Sequence, residues 1–214
     1  LNEPVPDCLS RRESKRTPRI GLMREYFYEL VDAEMQRHTD AVAERLGQAG
    51  ARVEEAAPPP SLRVAHATGM TILTVEGAAV HQEMFAQHKD QYGPGIRGLI
   101  ESGLATKATD YARALRARWQ QRADTAPLFQ KFDAILTPGA PSAAPRGLPT
   151  GKPTMQAPWT VMGIPTIGIP SGLNKEGLPL GIQLAGAPKA EDKLFAVAGW
   201  CEKALGVRLR PALG

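Results

Sequence analysis

From Ala134 to Ala185 short apolar runs alternate with proline and glycine, a pattern that admits strands and tight turns more readily than long helices. Ala134–Leu136 reads as a strand ending at Thr137-Pro138. Residues 138–153 are rich in Pro and Gly and are expected to form a long loop, which inside a compact domain is often functional. Thr154–Met162 is a short helix at best. Gly163, just before Ile164-Pro165, permits a sharp helix-to-strand turn. Thr166–Ile169 and Leu180–Leu184 read as a hairpin pair. Residues 172–178 form the turn, with Asn174-Lys175-Glu176-Gly177 at its tip. Pro170 has no N–H to give to a ladder and ends the first of these strands. Glu191–Leu205 reads as a closing helix.

The preceding part has a different rhythm. Residues 1–18 are a linker-like leader without an apolar period, and Arg19–Met23 is a short strand. Asp32 is the predicted N-cap of a helix to Leu46, with Met35, Val42 and Leu46 on one face. Gly47 and Gly50 end it, and Arg52–Glu55 is a second strand. Such a β-α-β unit favours parallel pairing in a sheet covered on both faces. Pro58-Pro59-Pro60 breaks the chain. Ser61 is the predicted cap of a long helix reaching about Lys89. Helical stretches follow near Ile96–Glu101 and from Ala108 to Phe132, the last bent or split at Pro127. The fold class read from this order is α/β, a mixed β-sheet flanked by helices. Residues 19–210 form one domain and 211–214 a tail.

Composition narrows the function. The 214 residues suffice for one sizeable domain, burying roughly 70% of the unfolded surface. No run of 18 apolar residues exists, so no membrane span is expected. The chain opens with Leu1 and no signal-peptide core follows, which points to a processed product or a fragment. Cys8 and Cys201 read as reduced thiols of a cytoplasmic protein. The net charge of +4 gathers in two places: Arg11, Arg12, Lys15, Arg16 and Arg19, then Arg113, Arg116, Arg118 and Arg122. Neither cluster shows the aromatic interleaving or the module of a nucleic-acid binder. Both read as solvated surface, and no nucleic-acid partner is expected.

Catalytic and metal chemistry find little purchase. His81 and His88 share a helical face, with His66 and Glu83 near in sequence, but His-Glu-x-x-His is absent. The expectation is no metal and no cofactor. No Gly-x-Gly-x-x-Gly or P-loop is present. Ser10, Ser14, Ser61, Ser102, Ser142 and Ser171 include no adjacent pair, and none lies in a nucleophile elbow. Ser171 is the one in a conspicuous turn, but Ile169 replaces the glycine an elbow needs.

Three segments together resemble the C-terminal part of the amidase signature family: Phe132–Pro138 (FDAILTP), Pro158–Gly172 (PWTVMGIPTIGIPSG) and Gly177–Gly186 (GLPLGIQLAG). Pro18–Gly21 and Arg24–Phe27 resemble the stretch that follows the family's signature region. The likeness spans nearly the whole chain but half of a family member. It implies part of the larger α/β/α amidase-signature fold and, for the parent protein, hydrolysis of a carboxylic amide C–N bond without metal or organic cofactor. A Ser-Ser-Lys arrangement does this in the family. The resemblance places those residues outside this chain, so no catalytic residue is expected here and the chain alone is expected to be inactive.

The resemblance also implies a substrate wall. Thr137 and Pro138 adjoin the pocket, and Trp159 and Thr160 face the catalytic centre, although a purely core role for Trp159 is equally open. Many relatives carry Asn at the Thr160 position, where Thr keeps only a hydroxyl. The glutamyl-tRNA amidotransferase members of the family, also similar, carry an arginine pair where Arg97-Gly98-Leu99-Ile100 aligns without gaps. Leu99 cannot grip a carboxylate as a guanidinium does, and Arg97 substitutes only if the helix shifts. The implied partners are a small-molecule amide and either the missing N-terminal half or another copy. An isolated half is expected to expose a sheet edge and an apolar face around Ile135, Ile167, Ile169 and Ile182, and so to show either an extensive contact between chains or a large groove lined by residues 137–165. The rival reading is a non-catalytic scaffold or partner module derived from an amidase.

Overall fold

The computed structural model describes residues 16–147 and 152–208. Among them is one five-stranded mixed sheet. Its strands are β1 (Arg19–Leu22), β2 (Arg52–Glu55), β3 (Ala134–Pro138), β4 (Thr166–Leu173) and β5 (Pro179–Ala185), in the order β2-β1-β3-β5-β4. β1 pairs in parallel with β2 and β3, while β5 runs antiparallel to β3 and β4. The helices are α1 (Ala33–Gln48), α2 (Ala65–His88), α3 (Pro94–Ala105), α4 (Ala108–Thr125), α5 (Leu128–Lys131), α6 (Ala157–Met162) and α7 (Glu191–Leu205). The α/β reading with a mixed sheet therefore holds. No helix among the described residues is long and apolar enough to cross a membrane.

The β1-α1-β2 unit forms for the reasons its sequence gives. The Asp32 carboxylate accepts from Met35 N at 2.8 Å and caps α1, a contact of the kind worth about 0.5–2 kcal/mol. Met35, Val42 and Leu46 turn inward from one face of that helix. At the start of the sheet Arg19 N donates to Asp133 at 2.9 Å and its guanidinium adds a second contact at 3.2 Å. The first residue of β1 is thereby tied to the residue before β3.

Alternation divides the side chains between two cores. Ile20, Leu22, Ala134, Leu136, Ile169, Ile182 and Leu184 face α1 and α7 and meet Val42, Leu46, Leu194 and Cys201. Ile135 and Ala185 face the other way, into a cluster with Phe27, Phe132, Met155, Trp159 and Met162. Gly21 belongs to this second face, where a Cβ would stand 2.7 Å from the Phe132 ring. The expected apolar exposure around the isoleucines is not found. Ile135, Ile169 and Ile182 are buried by this chain's own helices, and Ile167 packs against the α1–α7 core.

Two other expectations change in detail. Ser61 does not cap the long helix: a 3-10 turn spans Pro60–Val64, α2 begins at Ala65, and the Ser61 hydroxyl donates to Asp124 at 2.6 Å. β4 runs through Pro170 to Leu173, because it is an edge strand and absorbs the proline with an irregularity between Pro170 and Gly172.

Candidate functional site

β3 and β5 bring Thr137 opposite Gln183, both on the face that carries Trp159. Thr137 and Gln183 are buried. The Gln183 amide donates to Thr137 Oγ1 at 3.3 Å and to the Met155 carbonyl at 3.1 Å. One side chain thus joins the end of β3 to the segment that leads into α6. Gln156, next in that segment, donates to the Gly139 carbonyl at 2.8 Å and closes the same connection from outside. Gly139 in turn lies so near β5 that a Cβ would stand 2.8 Å from the Gly181 carbonyl oxygen. The loop after β3 also reaches α1, since Asp32 N donates to the Pro141 carbonyl at 2.9 Å. Residues 148–151 of the expected long loop lie outside the described residues.

α6 places the two remaining members. Gly163, with φ of 64°, ends the helix in the left-handed region, as its glycine allows. Trp159 is fully buried and stacks on Phe27 with 5.7 Å between ring centroids. Its indole N–H has no hydrogen-bond partner among the described residues. Thr160, the next residue, is exposed. Thr137, Pro138, Trp159 and Thr160 therefore belong to one strand–loop–helix assembly, with Trp159 packed inside it. Leu99 stands apart on α3, which docks on α2 through Gly103. Arg97 is committed locally, its guanidinium donating to the Tyr92 carbonyl at 3.3 Å.

None of these side chains is an acid or base that titrates near neutral pH. The assembly offers hydrogen bonds and shape, and can orient a neutral polar group without moving a proton. Gln183 is absent from the residues that the sequence brings forward. Its one signal there is a lone amide within the buried strand Leu180–Ala185, which must find partners.

Other candidate groups have structural partners. His81 Nδ1 lies 3.0 Å from the Tyr92 hydroxyl. No group of three His, Cys, Asp or Glu residues that could hold a metal ion occurs among the described residues. Ser171 is sealed at 1% exposure and shares a hydrogen bond with His38. Burial pushes the Cys201 thiol up to about 12 and leaves it unreactive. Cys8 lies outside the described residues. Contrary to the reading of the basic clusters, an aromatic does stand among the α4 arginines. Trp119 is 61% exposed, with the guanidinium carbons of Arg118 and Arg122 at 5.9 and 5.8 Å from its ring centre.

Comparison with known proteins converges on one group. A family model described as Amidase matches residues 2–195. An amidase of Pseudomonas putida is 28% identical over 221 aligned residues, covering 95% of this chain and 47% of the relative. A glutamyl-tRNA(Gln) amidotransferase subunit of Methylorubrum extorquens (strain PA1) is 32% identical over 244 residues, covering 96% of this chain and 48% of its own length. A crystal structure of an amidase superposes with a TM-score of 0.80 at 24% identity, over 89% of this chain and 46% of that one, which is a likeness of fold. The chain spans about half the length of the curated relatives it matches.

Proposed function

The chain belongs to the amidase family, and on that premise we propose that it forms the substrate-wall and sheet-forming part of a hydrolase of carboxylic amide C–N bonds. The observation that supports this most directly is the assembly in which Gln183 holds Thr137 to the segment before α6. It fixes a strand end, a loop and a short helix as one unit, which is how a binding wall is kept rigid. Thr160 is the exposed member of the wall, and the buried Thr137 and Pro138 hold it from the sheet side. Trp159 supports it from within.

The hydrolytic step belongs to a Ser-Ser-Lys set outside residues 1–214. A lysine takes the proton of a bridging serine, which takes that of a second serine as it attacks the amide carbonyl; the C–N bond breaks as that proton is returned to the departing amine, and water then hydrolyses the acyl-serine to the acid. The missing half that carries this set is the first partner of the chain and a small neutral amide its substrate. Leu99 in place of an arginine turns the preference away from glutamine, whose carboxylate needs a guanidinium fork.

A second reading is favoured by one observation: Ile135, Ile169 and Ile182 are buried without any partner chain. A part that closes its own core suits a non-catalytic module of amidase descent. A reading frame that continues upstream into a Gly/Ser-rich signature with a preceding lysine decides for the enzyme.

The experiment compares the 214-residue chain with the longer polypeptide containing it, using benzamide, propionamide and glutamine. Expected is turnover of the neutral amides by the longer protein and none by the chain alone. Turnover by the chain itself, lost on mutating a residue within 1–214, overturns the assignment of catalysis elsewhere. A preference for glutamine that Arg97→Ala removes overturns the substrate class.

A further inference from the structure

α4 carries a basic and aromatic patch that the candidate wall does not use. Trp119 is 61% exposed. The guanidinium carbons of Arg118 and Arg122 stand 5.9 and 5.8 Å from its ring centre. Arg116, three residues before Trp119, is its neighbour on the helix surface. A guanidinium keeps its charge throughout the pH range of a folded protein. Among the described residues no carboxylate pairs with Arg116, Arg118 or Arg122. The acids of α4, and the glutamate of α2 that reaches it, are engaged elsewhere. Asp110 holds Arg113 at 2.9 Å, and Asp124 accepts from Ser61 at 2.6 Å and from Gln120 at 2.7 Å. Glu76 accepts from the Tyr111 hydroxyl at 2.9 Å.

We propose that this patch docks an acidic segment of a separate partner protein, whose carboxylates pair with the three arginines and whose apolar side chain lies on Trp119. The charge selects the sign of the occupant. Three permanent cations without an acid of their own are matched by carboxylates, and the guanidinium fork holds a carboxylate by two parallel hydrogen bonds. The contact of Arg118 and Arg122 with the indole positions the two cations but leaves their charge in place. The indole selects the rest. Tryptophan and arginine are the residues on which binding energy concentrates at protein interfaces, and here they stand together on one rigid helix.

Two other occupants fit less well. Single-stranded nucleic acid asks for a series of aromatic platforms, one for each successive base. Trp119 and Phe195 are the exposed aromatics among the described residues. Phe195 belongs to α7, which packs on the face of the sheet opposite to the one α4 serves through Thr125 and Met162. A nucleic acid strand therefore finds one platform here. The interior of a larger domain would close over the patch and take three cations out of water, which is costly. A docked segment leaves them at a wet polar rim, the usual place of charge in a reversible interface.

The test measures fluorescence anisotropy of a labelled peptide of repeating Glu-Leu-Glu-Glu-Leu, with the 214-residue chain and with the longer polypeptide containing it. Expected is saturable binding to both, weakened by added salt. Trp119→Ala, and Arg118→Ala with Arg122→Ala, should each weaken it about tenfold or more. Melting should stay unchanged, because these side chains stand outside the core clusters. Lys193→Ala with Lys203→Ala on α7 removes the same charge elsewhere and should leave the affinity as it is. Absence of saturable binding overturns the proposal, and so does full binding by Trp119→Ala. An equal loss from the α7 pair reduces the effect to net charge and overturns it as well. Binding by the chain but not by the longer polypeptide means that the rest of the parent covers α4, which overturns the separate partner. Tighter binding of oligo-deoxythymidine than of the peptide, lost in Trp119→Ala, overturns the choice of a protein.

Discussion

His38 Nε2 lies 2.7 Å from Ser171 Oγ, and this one contact fastens α1 to the edge strand β4 where that strand is irregular. The fit leaves no slack: a Cβ on Gly172 would stand 2.9 Å from His38 Cε1. Ser171 also reaches the Leu180 carbonyl at 3.4 Å, so the hydroxyl is held from both sides. A serine beside an imidazole invites a catalytic reading. The burial of Ser171 argues for a fastening instead.

Acid should loosen that fastening. Burial, and then the nearby Arg45, lower the His38 pKa, with Glu34 acting in the opposite sense. The unfolded chain, with His near about 6.5, therefore binds more protons than the folded one in the window below that value. The His38 contribution is complete above the unfolded pKa and is lost as pH falls towards the folded one. Urea midpoints measured across this window should fall with pH more steeply for the native chain than for His38→Gln. Equal slopes would remove His38 as the cause.

Two glycines of α3 should respond in opposite directions to alanine. At Gly103 the new Cβ would stand 2.0 Å from the Thr74 carbonyl oxygen and 2.7 Å from Ala78 Cβ, so α3 must lift off α2. Overpacking of this kind costs about 1–3 kcal/mol or more. At Gly98 nothing lies within 4 Å, and alanine gains about 1 kcal/mol of helix propensity. Thermal melting of Gly103→Ala and Gly98→Ala checks both signs. A stable Gly103→Ala variant would mean that α2 and α3 do not touch there.

These glycines also show where sequence reading stops. Gly98 and Gly103 look alike in a helical pattern, and the difference lies in which one faces a helix far away in sequence. The β1-α1-β2 unit was legible because the Asp32 cap and the spacing of Met35, Val42 and Leu46 are local signals. The β4–β5 hairpin was legible as well, but its length was not. Pro170 argues for a strand end unless the strand is known to be an edge, and edge position is a property of the whole sheet. Thr137, Pro138, Trp159 and Thr160 were reached through resemblance, and the structure assembles them around one strand, loop and helix. Gln183 carries no local signal of its role, because its partners, Thr137 Oγ1 and the Met155 carbonyl, lie 46 and 28 residues away.

Gln183 supplies the most specific prediction for the candidate wall. Its amide nitrogen serves both Thr137 and Met155, and the residue is 4% exposed. Gln183→Leu keeps the volume roughly constant but leaves the Met155 carbonyl without this donor in a buried place. The expected cost is about 1–3 kcal/mol. Gln183→Glu keeps the shape and removes the donor, and it also buries a carboxylate, so it should be worse at neutral pH. Acid should narrow that gap, because the introduced carboxyl, once protonated, regains one O–H to donate. Denaturant midpoints of the three proteins at neutral and mildly acidic pH separate these effects. If Gln183→Leu is as stable as the native chain, the link between β3 and α6 is held by Gln156 and the backbone, and Gln183 has no part in shaping the wall.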